Sequence, residues 1–104
     1  MNQIQVENIT LLIAKLKDDI QSTLNWFKSK NFSIPTLECV YGYIDNDKVD
    51  VLFKFEVEYY RHNGFIRSQK IIYDKIQEYR EQYPQFRTIY ISSILPDRII
   101  DIEI

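Results

Sequence analysis

The sequence predicts an α+β protein in which two helices cover one mostly antiparallel sheet, in the order α-β-β-β-α-β-β. Two periodicities carry this expectation. Apolar residues recur three or four apart from Ile9 to Phe27 and again from Ile72 to Tyr83, whereas Val49 to Tyr59 alternates at period two. At 104 residues the chain is expected to form one domain, residues 1–104.

The first helix is marked by Ile9, Leu12, Ile13, Leu16, Ile20, Leu24 and Phe27, an apolar stripe that requires a surface to cover it. Asn8 is the expected N-cap and Asn31 the expected left-handed stop. Pro35 then turns the chain into an extended segment. "TLECVYGYI" and "VDVLFKFEVEYY" are rich in β-branched and aromatic residues, and "DNDK" between them supplies a turn. In the second run Val49, Val51, Phe53, Phe55, Val57 and Tyr59 share one face, and Asp50, Leu52, Lys54, Glu56 and Glu58 the other. An odd loop would place Leu37, Cys39, Tyr41 and Tyr43 beside the apolar face. A two-residue loop would set them against the polar face. The odd loop segregates polarity better and is the expected one.

Asn63-Gly64 between two extended runs signals a hairpin with positive φ at both positions, hence a third strand near Phe65 to Lys70. The competing reading starts the second helix at Asn63 as its cap. Helical spacing runs from Ile72 through Ile76 and Tyr79 to Tyr83, and Pro84 closes it. The remainder reads as a second hairpin, with Ile89 and Ile91 in one strand, Pro96-Asp97 at a type I turn, and Ile100, Ile102 and Ile104 in the other. Ile104 is expected inside the sheet.

Composition narrows the function classes. Thirteen Lys and Arg against fifteen Asp and Glu give a net charge of −2, which disfavours a nucleic-acid binder. One cysteine makes no internal disulfide. "MNQIQVENIT" lacks the basic-then-apolar pattern of a signal peptide, and no apolar run is long enough for a bilayer, so a cytoplasmic protein without a membrane partner is expected. With two glycines and no G-x-G-x-x-G, Walker or G-x-S-x-G motif, nucleotide chemistry and a serine nucleophile have no support. His62 and Cys39 cannot by themselves assemble a zinc site, and no cofactor or metal is expected.

The order of helix, three-stranded meander, helix and strand is similar to that of the PD-(D/E)xK nuclease core, which holds a divalent metal with an Asp and an acid-x-Lys. Asp45 or Asp50 could stand for the first acid. The acid-x-Lys is missing: the chain offers Glu56-Val57-Glu58 and Ser68-Gln69-Lys70, although Gln69 and Tyr73 have a Gln-x-x-x-Tyr spacing. A metal-dependent or degenerate nuclease is therefore the alternative rather than the leading reading. The basic cluster of Arg61, His62, Arg67 and Lys70, interleaved with Tyr59, Tyr60 and Phe65, has too few cations for a nucleic-acid platform.

The charge map is more informative. Glu38 to Glu58 carries six acids and two bases, whereas Arg61 to Lys70 carries three bases and no acid. Asp45, Asp47, Asp50, Glu56, Glu58 and Tyr60 are the expected partner-binding residues on an acidic, tyrosine-containing hairpin face. The sequence thus points to a non-catalytic module that occludes another protein, basic in character, as an inhibitor, immunity or antitoxin-like protein or small acidic chaperone would. A structural homodimer is the remaining alternative.

Overall fold

The computed structural model of the protein describes residues 6–56, 58, 61–95 and 97–104. Its elements are α1 (Val6–Ser29), β1 (Leu37–Asp45), β2 (Lys48–Phe55), α2 (Phe65–Gln82), β3 (Phe86–Ser92) and β4 (Ile102–Glu103). Two helices pack on a four-stranded sheet of order β3-β2-β1-β4, in an α+β arrangement. The sheet is mixed, because β1 pairs antiparallel with β2 and β4 whereas β2 and β3 run parallel.

α1 forms where the stripe requires it, and Ile9, Ile13, Leu16, Ile20 and Leu24 are buried. Each such side chain contributes about 1.5–3 kcal/mol when fully removed from water. The helix starts before Asn8, which lies inside it rather than capping it. Asn31 adopts φ 68°, the left-handed conformation that ends the helix. Trp26, Phe27 and Phe32 then stack edge to face, with centroids 5.0 and 5.4 Å apart, at the exit from α1.

The hairpin turn contains two residues, Asn46 and Asp47, so the expected odd loop is corrected. Asn46 takes φ 56°, which asparagine tolerates better than most residues. Ile44, Gly42 and Val40 therefore pair with Val49, Val51 and Phe53 beneath the helices, and Tyr43, Tyr41 and Cys39 pair with Asp50, Leu52 and Lys54 on the other side. A shift between Leu37 and Cys39 returns Leu37 to the helix side, opposite Phe55. Gly42 is where α1 approaches most closely, since a Cβ there would lie 2.7 Å from Ile13 Cδ1.

No strand forms at Phe65 to Lys70, because α2 already begins at Phe65. Asn63-Gly64 is not a positive-φ turn, as Gly64 has φ −88°. Glycine is required there for space: a Cβ would stand 2.1 Å from the Ser33 carbonyl oxygen. α2 buries Ser68, Ile71, Ile72, Ile76 and Tyr79. The Tyr79 hydroxyl donates to Asp19 Oδ2, joining the two helices.

The second hairpin is also corrected. β3 and β4 occupy opposite edges of the sheet and do not pair with each other. β3 returns through α2 as a parallel neighbour of β2, the usual outcome when a helix joins two strands. The chain must then cross β2 and β1 to reach the far edge. Residues 93–95 and 97–101, here called the strap, lie on the face away from the helices, where Ile100 packs against Tyr41, Tyr43 and Leu52. Pro96, Val57 and Tyr59, placed above in a turn and in a strand, lie outside the described residues. Ile104 exchanges two backbone hydrogen bonds with Val40, both of 2.9 Å, as a strand residue would. Among the described residues, no helix is long and apolar enough to cross a membrane.

Candidate interaction surface

Asp50 organises the face under the strap. It sits opposite a bulge in β3, because Val49 and Val51 pair with Phe86 and Ile89 and leave Arg87 and Thr88 between them. The two bulged residues clasp its carboxylate. Arg87 donates from Nε to Oδ1 at 3.0 Å and from Nη2 to Oδ2 at 2.7 Å, and the Thr88 amide donates to Oδ1 at 3.2 Å. Arg98 from the strap adds a longer contact of 3.5 Å. The Arg87 hydrogen bonds hold the Asp50 carboxyl below its ordinary range, against the opposing effect of burial.

Arg98 also lies over the Tyr43 ring, 4.1 Å from its centroid. Tyr43 is fully buried, and its hydroxyl has no hydrogen-bond partner among the described residues. Burial raises the Tyr43 phenol's pKa, with Arg98 pulling the other way. The strap is fastened again at Asp101, whose Oδ2 accepts from the Ile44 amide at 2.7 Å and whose own amide donates to Gly42 at 3.1 Å. On β1, neighbouring Cys39, burial and Glu103 all raise the Tyr41 phenol's pKa.

This arrangement separates the residues expected to bind a partner. Asp50 is only 3% exposed and is fully engaged with Arg87, Thr88 and Arg98, so it is an internal anchor and not a displayed acid. Asp45 is exposed at the turn and bridges to Arg87 at 2.9 Å, with Asp47 beside it. Glu56 and Glu58 are exposed at the other end of the hairpin, where Glu58 faces Arg61 at 3.6 Å. Eight strand residues put those two ends more than about 20 Å apart. The acids are contiguous in sequence but not in space. Tyr60 lies outside the described residues.

The basic residues are engaged one by one. Arg67 lies over Phe32 at 4.0 Å, Lys70 pairs with Asp74 at 3.1 Å, and His62 Nδ1 accepts from the Gly64 amide at 2.9 Å. A groove of about 630 Å³ runs between the helices past Phe27, Ile66, Arg67 and Ile71. The nuclease alternative meets a geometric obstacle, since Arg87 engages both candidates for its first acid, Asp45 and Asp50. Among the described residues, no three His, Cys, Asp or Glu side chains are grouped as metal ligands.

What the sequence did not single out is the outer side of the strap and of β3. Tyr90 pairs with Leu52, on the side away from the helices, and is 45% exposed. Ile94, Leu95 and Ile99 follow at 70%, 48% and 87%. Four large apolar side chains thus reach solvent within ten residues. The one available signal was compositional: from Thr88 to Ile100 the only charges are Asp97 and Arg98.

No family model matches this chain, and no match to a curated protein or a solved structure was found.

Proposed function

We propose that the protein is a non-catalytic, cytoplasmic protein-binding module that acts by covering its partner, as an inhibitor, an immunity protein or an antitoxin-like protein does. The observation that carries this reading is the exposed apolar run Tyr90, Ile94, Leu95 and Ile99 on a strap pinned at Arg98 and Asp101. An exposed loop held rigidly presents its side chains at small conformational cost, and contact surfaces are built that way. Acids at the hairpin ends, the exposed Asp45 with the half-buried Asp47 on one side and the exposed Glu56 and Glu58 on the other, would steer a basic partner without forming the centre of the contact.

The test compares affinity capture from native lysate by the wild-type chain and by Ile94→Glu with Ile99→Glu, at low and high salt. A specific partner that survives high salt and is lost with the double substitution supports the reading. Equal capture by both chains sinks it.

A further inference from the structure

We propose that the strap surface is occupied by a second copy of this chain, in a twofold dimer formed face to face. This rests on reading the strap as a binding surface: in the free chain a second copy occupies it, and a foreign partner would have to displace that copy. Charge is the first argument. The strap carries three charges, Asp97, Arg98 and Asp101, and Asp101 is engaged by the Ile44 amide, which leaves the acid and base adjacent in sequence at Asp97 and Arg98. A twofold axis makes residue i meet residue j and residue j meet residue i, so an adjacent acid and base are self-complementary. Asp97 of one copy meets Arg98 of the other. Arg98 retains capacity for this contact, because its side chain is 40% exposed and its bond to Asp50 is a long 3.5 Å.

Area is the second argument. From their fractional exposures, Tyr90, Ile94, Leu95 and Ile99 present roughly 500 Å² of surface, at the upper end of the largest patch on an ordinary monomer. Two such patches meeting bury roughly 1,000 Å², the lower bound for a specific interface. A second copy supplies an apolar and nearly neutral surface of matching size, whereas the exposed apolar residues of the helices stand among charges, as Ile66 does beside Arg67. The contact is apolar at its centre and is expected to persist in high salt, with the two Asp97–Arg98 pairs at its rim.

Sedimentation equilibrium from micromolar to millimolar chain, at low and high salt, reads the association directly. The expected result is a concentration-dependent dimer whose dissociation constant rises at least tenfold in Ile94→Glu with Ile99→Glu and several-fold in Asp97→Lys, while circular dichroism confirms that each variant stays folded. In a Cys39→Ala background, Ile99→Cys is expected to cross-link copies under mild oxidation, and Leu11→Cys on the outside of α1 is not. A monomer at every concentration, or a dimer indifferent to the Ile94 and Ile99 substitutions, overturns the proposal. If the chain is monomeric yet captures a different protein through the strap, self-association fails and the binding-module reading stands. If the strap variants change neither association nor capture, both readings fail.

Discussion

Arg87 and Asp50 form a two-pronged hydrogen-bonded ion pair, at 3.0 and 2.7 Å, between residues 37 positions apart. The pair joins β3 to β2 at a bulge, and through Arg98 it also holds the strap. A carboxylate 3% exposed is retained in a sheet interior only when donors surround it, and here three residues supply them.

Replacing Asp50 with Asn is expected to lower stability by about 2 kcal/mol at neutral pH, a value below that of a fully buried pair because both arginines are partly exposed. The sign of the pH effect follows from the lowered folded-state pKa. Stabilisation is complete above the unfolded value near about pH 4 and is lost as pH falls through the folded value. Urea denaturation at several acidic pH values should show a steeper loss for the wild-type chain than for Asp50→Asn. Parallel profiles would contradict the pair's role.

Gly64→Ala is expected to destabilise more than Gly42→Ala. At Gly64 the new methyl meets a backbone carbonyl at 2.1 Å, which cannot move without displacing the segment before β1. At Gly42 the nearest atom is the terminal methyl of Ile13, which can rotate, although Ile102 Cβ at 3.2 Å remains. Overpacking costs about 1–3 kcal/mol in such sites, and Gly64 should reach or exceed the upper end. Denaturant midpoints of the two variants decide the order.

The Tyr79 to Asp19 hydrogen bond is expected to contribute about 1–2 kcal/mol to helix–helix docking. Burial and the Asp19 carboxylate raise the phenol's pKa well above its ordinary value. Spectroscopic titration of Tyr79→Phe should lose one of the tyrosines that ionise above the ordinary range, with Tyr41 and Tyr43 remaining. A double-mutant cycle with Asp19→Asn should give a coupling energy clearly different from zero.

Neighbouring isoleucines of the strap should behave oppositely. Ile99→Glu, at a position 87% exposed, is expected to shift stability by less than about 0.5 kcal/mol. Ile100→Glu places a charge against Tyr41, Tyr43 and Leu52 and should cost several times as much. Similar melting temperatures for the two variants would mean that the strap does not lie as described.

The sequence by itself determined the elements whose apolar residues keep one period. The stripe from Ile9 to Phe27 became α1, and the alternation from Val49 became β2 as far as Phe55. Asn31 also stopped its helix as expected, because a left-handed conformation is a local property that asparagine accommodates. Asn63-Gly64 misled for the complementary reason. Glycine there satisfies a close approach to Ser33, a distant contact that leaves no local trace.

Only the tertiary structure decided the hairpin register, the partners of β3 and β4, and the fate of the acids. Period-two alternation says which residues share a face but not what covers that face. The expectation of an odd loop assumed that the side of β2 away from the helices meets water. The strap covers that side, so Asp50 and Leu52 are buried on it, and Tyr41 and Tyr43 can lie opposite them. Asp50 is an anchor because Arg87 and Arg98 arrive from later in the chain, and a carboxylate's role is set by the donors that reach it.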